Sequence, residues 1–182
     1  MVQLFDQLTI PYPIGGSVAA AVFGHARSTL DVDKVAAVQE RHAETIAGAL
    51  RGTYYVDADL IRDAIRNRAC FNLIYLPAFF KVDVFALKAT TYAQAAFARF
   101  TTARLADSTS TREFRFATAE DVVLHKLDWY VQGGESGERQ WTDILGVLRV
   151  QAGRLDLDYM RHWGARIGVG HLLERVLREA AG

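Results

Sequence analysis

Residues 28–33, Ser28-Thr29-Leu30-Asp31-Val32-Asp33, alternate in the manner of a β-strand, one helix after a Gly15-Gly16-Ser17 turn. In a strand, residues two apart share a face, so Asp31 and Asp33 project together while Val32 packs behind them. Carboxylates held that close repel each other. The arrangement is tolerated at a solvent-facing edge, or made favourable by a divalent cation between the oxygens. Magnesium suits such a site, because it takes hard oxygen ligands from one or two carboxylates and shares substrate phosphates, with manganese as the alternative ion. The glycine turn fits the same chemistry: backbone N–H groups at a helix N-terminus attract anions. A third carboxylate, Asp83, lies in Lys81-Val82-Asp83-Val84-Phe85, where flanking valines make a buried unpaired charge costly. If the two strands are neighbours, three carboxylates converge on a site suited to two metal ions about 4 Å apart.

Outward from this stretch, the pattern predicts an α+β fold: a mixed β-sheet core flanked by helices over residues 1–117, then a helical bundle over 118–182. A short helix is expected at Phe5–Leu8 and a strand stub at Tyr12–Ile14. A helix should run from the glycine turn to Gly24, with further helices over Val35–Leu50, from Asp57 or Asp59 to about Arg68, and over Tyr92–Phe100. Short strands are expected at Thr53–Val56 and Arg112–Phe116, and Phe71–Leu76 and Lys81–Leu87 read as an antiparallel pair around Pro77. Thr118 and Asp121 form an acidic capping box that opens a helix to Tyr130, stopped by Gly133-Gly134. Helices over Arg139–Val150, Asp156–Ile167 and Gly170–Ala180 complete the pattern.

These residues resemble a known family. Gly15-Gly16-Ser17, Arg27-Ser28-Thr29-Leu30-Asp31-Val32-Asp33 and Val82-Asp83-Val84 look like the motif set of the nucleotidyltransferase superfamily with the DNA polymerase beta-like core. The nearest likeness is to the bacterial minimal nucleotidyltransferases of the AbiEii-type toxin group. It extends to Glu120-Asp121-Val122-Val123-Leu124-His125-Lys126-Leu127 and to Glu138-Arg139-Gln140-Trp141-Thr142-Asp143-Ile144. The resemblance implies a magnesium-dependent transfer of a nucleotide from a nucleoside triphosphate to an acceptor hydroxyl, releasing pyrophosphate. Asp31 and Asp33 would bind the metals, with Asp83 sharing them and helping to activate the hydroxyl. Gly15, Gly16, Ser17 and Arg27 would hold the triphosphate, Lys126 would contact phosphate, and Asp143 would support the site. It further implies toxin–antitoxin membership, with RNA (tRNA above all) or a protein hydroxyl as acceptor and a cognate antitoxin as partner. A small-molecule acceptor, as in antibiotic-modifying relatives, is the second enzyme reading, and a non-catalytic binding module on the same fold is the rival from another class.

Independently of the resemblance, helical spacing puts Lys126 in the middle of the apolar arc of its helix, where a lysine must snorkel or face an internal anion. Asp143 falls almost opposite the Trp141/Ile144/Leu145/Leu148 stripe, facing a cleft or solvent. Arg27 would bind phosphate or pair with Asp31 or Asp33. Lys34, directly after Asp33, would point away across the strand or compete with metal.

The remaining features exclude more than they assign. With 182 residues, 51% hydrophobic, the chain is long enough to bury a sizeable core, and 21 basic residues balanced by 21 acidic ones remove the footprint of a general nucleic-acid binder. Arg62, Arg66 and Arg68 form the best local basic cluster, a solvated face with pairs such as Asp59 or Asp63, or a guide for RNA. The five histidines lack metal-ligand spacing, Cys70 and the tryptophans read as packing, and no apolar run approaches a membrane span. With no leader-like N-terminal run, the expected location is cytoplasmic.

Overall fold

The computed structural model describes residues 1–24, 29, 31–104 and 112–182. Elements in chain order are α1 (Val2–Gln7), α2 (Gly16–Phe23), β1 (Asp31–Ala36), a 3-10 turn (Glu40–His42), α3 (Ala43–Leu50), β2 (Tyr54–Tyr55), α4 (Ala58–Arg66), β3 (Cys70–Tyr75) and β4 (Phe80–Ala86). They continue as α5 (Thr91–Ala98), β5 (Thr101–Ala103), β6 (Phe114–Phe116), α6 (Ala119–Gln132), α7 (Glu138–Val150), α8 (Leu157–Arg166) and α9 (Gly170–Ala181).

A mixed four-stranded sheet in the order β1-β4-β3-β2 carries the fold. The apolar alternation of β3 and β4 produces the expected antiparallel pair, while β1 joins β4 in parallel with Asp33 opposite Asp83. The free edge of β1 is covered by the extended segment ahead of α2. Pro11 and Pro13 have no N–H to offer, and their carbonyls accept from Ala37 and Val35. β5 and β6 form a separate two-stranded ribbon, and β5 had no counterpart in the sequence reading.

One face of the sheet is apolar, with Ala36, Phe71, Leu73, Val82 and Val84 all buried. α4 packs on β3 and β4 and against α3, bringing Ile61 and Ile65 into the core with Ile46 and Leu50. Asp57 caps α4, its carboxylate accepting from the N–H groups of Asp59 and Leu60. α2 packs against β1, α6 and α7, and α8 and α9 pack on α6 and on each other. One continuous core therefore joins the sheet to the C-terminal helices.

A polar knot reinforces that junction at the start of α6. Thr118 caps the helix through the Asp121 N–H, and the buried Asp121 carboxylate accepts from Tyr159 at 2.8 Å, Thr118 at 2.9 Å and Tyr92 at 3.4 Å. The Arg99 guanidinium lies over the Tyr159 ring, its Cζ 3.7 Å from the centroid, and pairs with Glu120 at 3.3 Å. Burial pushes the Asp121 carboxyl above its usual range, opposed by these hydrogen bonds and by the positive charge of Arg99.

Two expected boundaries are corrected. The strand expected over Ser28–Asp33 is described over Asp31–Ala36 and so continues beyond Asp33, while Ser28 and Leu30 lie outside the described residues. The helix expected over Val35–Leu50 is a strand end, a 3-10 turn and then α3 from Ala43. Pairing with β4 residue by residue overrides the helical preference of the alanines in this stretch. Among the described residues, no helix is long and apolar enough to cross a membrane.

Candidate active site

The strand register decides which side chains meet. Asp31, Asp33 and Val35 share one face of β1, and their partners Lys81, Asp83 and Phe85 share the same face of β4. Across β3, Asn72 stands opposite Asp83. The Asn72 amide donates to one Asp83 oxygen, and the Lys81 ammonium lies 2.8 Å from the other. Lys81 also reaches to 3.7 Å from Asp31, and these carboxylates raise its pKa, chiefly through the hydrogen bond with Asp83. Sequence reasoning overlooked Lys81, although its place two residues before Asp83 signals the shared face. Asn72 is legible only from the pairing of β3 with β4.

Asp33 is more deeply set. Burial raises its pKa above the ordinary value, and Asp83 adds to the rise; Lys126 and the backbone N–H of Ser17, which hydrogen-bonds to the carboxylate, pull it back down. The turn leading into α2 makes this approach possible. Gly15 N–H donates to the Asp33 carbonyl at 2.9 Å, and Gly16 adopts φ +56°, with no room for a side chain. A Cβ there would overlap the Asp33 Oδ2 and stand 2.5 Å from its Cγ. The glycine pair is thus required at its second member, where the helix N-terminus closes on the carboxylate.

Lys126 takes the second of its two expected options: it is 1% exposed, and its ammonium donates to Asp143 and Gln140, each at 2.8 Å. Asp143 correspondingly faces the interior, with its side chain only 7% exposed, so the solvated alternative is set aside. α6 and α7 pack side by side, which lets residues from opposite polar and apolar arcs meet. Lys34 turns away from the carboxylates to the other face of the sheet, with its ammonium 4.6 Å from the Tyr12 ring centroid. Arg27 lies outside the described residues.

A cavity of about 400 Å³ opens beside Gly16 and Asp33. Its aromatic wall runs through Phe85, Trp129, His125 and Tyr92, with Phe85 and Trp129 rings 5.7 Å apart and His125 stacked on Trp129. Burial holds the His125 imidazole below its usual pKa, against the pull of Asp121 and Asp128. Trp129 and Cys70, read from sequence as packing, line this cavity. The Cys70 thiol is pushed up to about 12, by burial first and then by Asp83 and Asp33, so it stays protonated at neutral pH. The basic cluster is spent internally: Arg62 pairs with Glu44 and Asp59, Arg66 with Glu40 at 2.7 Å, and Arg68 donates to the Leu87 carbonyl.

The donor set suits a hard cation. The Lys81 ammonium already stands between Asp31 and Asp83, where a positive charge is favoured. Among the described residues, no three acidic, imidazole or thiol groups are drawn together as a preformed metal cage.

No protein-family model matches the chain, and no curated protein matches it in sequence. Its structure is similar to several solved structures at low identity. The lincosamide antibiotic adenylyltransferase LnuA, with lincomycin bound, aligns over 82% of this chain and 92% of its own, at 15% identity and a TM-score of 0.52. The antibiotic-resistance factor ANT(2'')-Ia aligns over 96% and 90%, at 16% identity and a TM-score of 0.56. An antigenic nucleotidyltransferase-like protein from Paracoccidioides brasiliensis aligns over 97% and 88%, at 16% identity and a TM-score of 0.55. The chain has the nucleotidyltransferase fold.

Proposed function

We propose that the chain is a nucleotidyltransferase that moves a nucleoside monophosphate from a nucleoside triphosphate to an acceptor hydroxyl. The observation that carries this reading is the register of Asp33 against Asp83, with Asp31 on the same face and the Gly16 turn closing on Asp33. The acceptor oxygen attacks the α-phosphorus, the bond to the β-phosphate oxygen breaks, and pyrophosphate leaves with the electron pair. Asp83, already a hydrogen-bond acceptor for Asn72 and Lys81, takes the hydroxyl proton. Asp31 and Asp33 would hold magnesium or manganese, which supplies screening of the triphosphate and polarisation of its oxygens. Gly15, Gly16 and Ser17 position the triphosphate at the start of α2, and Lys126, fixed by Asp143 and Gln140, offsets charge that develops near Asp33. In this reading residues 1–117 supply Asp31, Asp33 and Asp83, residues 118–182 supply Lys126 and Asp143, and both contribute to the aromatic wall, in a cytoplasmic protein.

The cavity favours a small-molecule acceptor. About 400 Å³ lined by rings suits one compact molecule or one nucleobase, and among the similar structures LnuA holds lincomycin and ANT(2'')-Ia is also seen in complex with adenylyl-2''-tobramycin. A second reading, an AbiEii-type toxin acting on RNA (tRNA) or protein with a cognate antitoxin, is favoured by the Lys126–Asp143 contact, which joins the two positions that carry that resemblance.

Calorimetric titration with each of the four nucleoside triphosphates tests the reading. Binding should require magnesium in the native chain and be lost in Asp31→Ala. Binding that ignores magnesium, or survives unchanged in that variant, would point to a scaffold instead.

A further inference from the structure

Behind the sheet, on the face opposite the carboxylates, lies a second cavity of about 450 Å³. Its lining includes Val32 and Lys34 of β1, Tyr54 of β2, Tyr75 of β3, Val82 of β4 and Phe114 of β6. The register explains the grouping: Val32 pairs with Val82, and Tyr75 with Tyr54, so all four project from the same side. This cavity is mostly apolar, yet it contains a lysine that is only 2% exposed. Among the described residues no carboxylate pairs with Lys34; its ammonium stands over the Tyr12 ring, the Met1 amino group lies near enough to feel its charge, and the acid on α1, Asp6, is held by Arg112. A cation–π contact offsets part of the cost of burying an ammonium, and an anion would offset far more.

We infer that this cavity binds an apolar monocarboxylate, its carboxylate on the Lys34 ammonium and its acyl or aryl body among Val32, Val82, Tyr54, Tyr75 and Phe114. Lys34 and the Met1 amino group, which lie close enough for Lys34 to lower the pKa of the amine, bring positive charge to a mostly apolar chamber, so the occupant it suits joins an anionic head to an apolar body. A bare phosphate would leave the apolar lining unfilled, and Arg112, which also borders the chamber, is already engaged with Asp6. Lys34 follows Asp33 directly, and Val32 lies between Asp31 and Asp33, so an occupant would press on the strand that carries the candidate catalytic carboxylates.

The test uses octanoate and 3-phenylpropanoate as acyl and aryl probes, 1-octanol as the uncharged counterpart and inorganic phosphate as the apolar-free anion, each titrated into the full chain and followed by amide chemical shifts. One or both carboxylates should bind at least tenfold tighter than octanol and phosphate, with shifts at Val32, Lys34, Tyr75 and Val82, and the tighter of the two names the body the cavity takes. Lys34→Met should abolish the preference over octanol, and Val82→Trp, which fills the chamber and keeps the lysine, should abolish binding of both. Because these probes contain no nucleotide, the outcome is separate from that of the transferase assay. Equal binding of octanoate and octanol, tighter binding of phosphate, or shifts confined to the carboxylate face would each overturn the inference.

Discussion

Gly16→Ala, set against Gly15→Ala, isolates what the turn does. At Gly15 (φ −117°) an added Cβ meets nothing within 4 Å, so the change should stay within about 1 kcal/mol, the scale of a helix N-cap swap. At Gly16 two costs add. A left-handed backbone angle costs an L-residue about 1–2 kcal/mol, and forcing a methyl into the Asp33 side chain costs a further ~1–3 kcal/mol, giving about 2–5 kcal/mol together. Only the second cost depends on Asp33. Urea denaturation of Gly16→Ala, Asp33→Ala and the double variant therefore forms a cycle whose coupling should reach about 1–3 kcal/mol, since Asp33→Ala removes the atoms the methyl strikes. Strict additivity, or equal losses at Gly15 and Gly16, would refute the claim that the turn is shaped around the carboxylate.

Three further predictions follow from the charged groups. Removing one member of the buried Lys126–Asp143 pair should cost about 3–5 kcal/mol, while Lys126→Met with Asp143→Leu should recover most of it; equal losses for single and double variants in urea denaturation would contradict the pairing. Burial lowers the Lys34 pKa to about 7 from 10.5, so between those pH values the unfolded chain holds the extra proton and stability rises with pH, by at most about 1.4 kcal/mol per unit. Measured from pH 7 to 8.5 against Lys34→Met, the native chain should gain relative to the variant, and a flat difference would refute the burial of an uncompensated ammonium. Lys81→Met removes the cation that stands between Asp31 and Asp83, so the magnesium needed for half-maximal nucleotide binding should fall several-fold; a rise would mean that Lys81 contacts nucleotide instead.

How much of this was legible in sequence depends on the range of the forces involved. The β3–β4 pair and the common face of Asp31 and Asp33 follow from local alternation, and the position of Lys34 follows from the same parity. Val35 and Ala36 misled because their side chains suit a helix start as well as a strand end, and the partners that decided between them, Phe85 and Ala86, lie far along the chain. The inward turn of Asp143 and the role of Asn72 are equally non-local, set by α6 packing on α7 and by the antiparallel register. The aromatic cavity wall draws on β4 and α6 at once, so Phe85, His125 and Trp129 carried no local sign of a shared surface.

The most direct test of the central claim is transfer of label from α-labelled nucleoside triphosphates, with magnesium, to a panel of hydroxyl-bearing small molecules, to cellular RNA and to protein. The account predicts one labelled acceptor class with matching pyrophosphate release, both absent in Asp31→Ala. Label and pyrophosphate that persist unchanged in Asp31→Ala, or no transfer to any acceptor by a native chain that binds no nucleotide with magnesium, would contradict it.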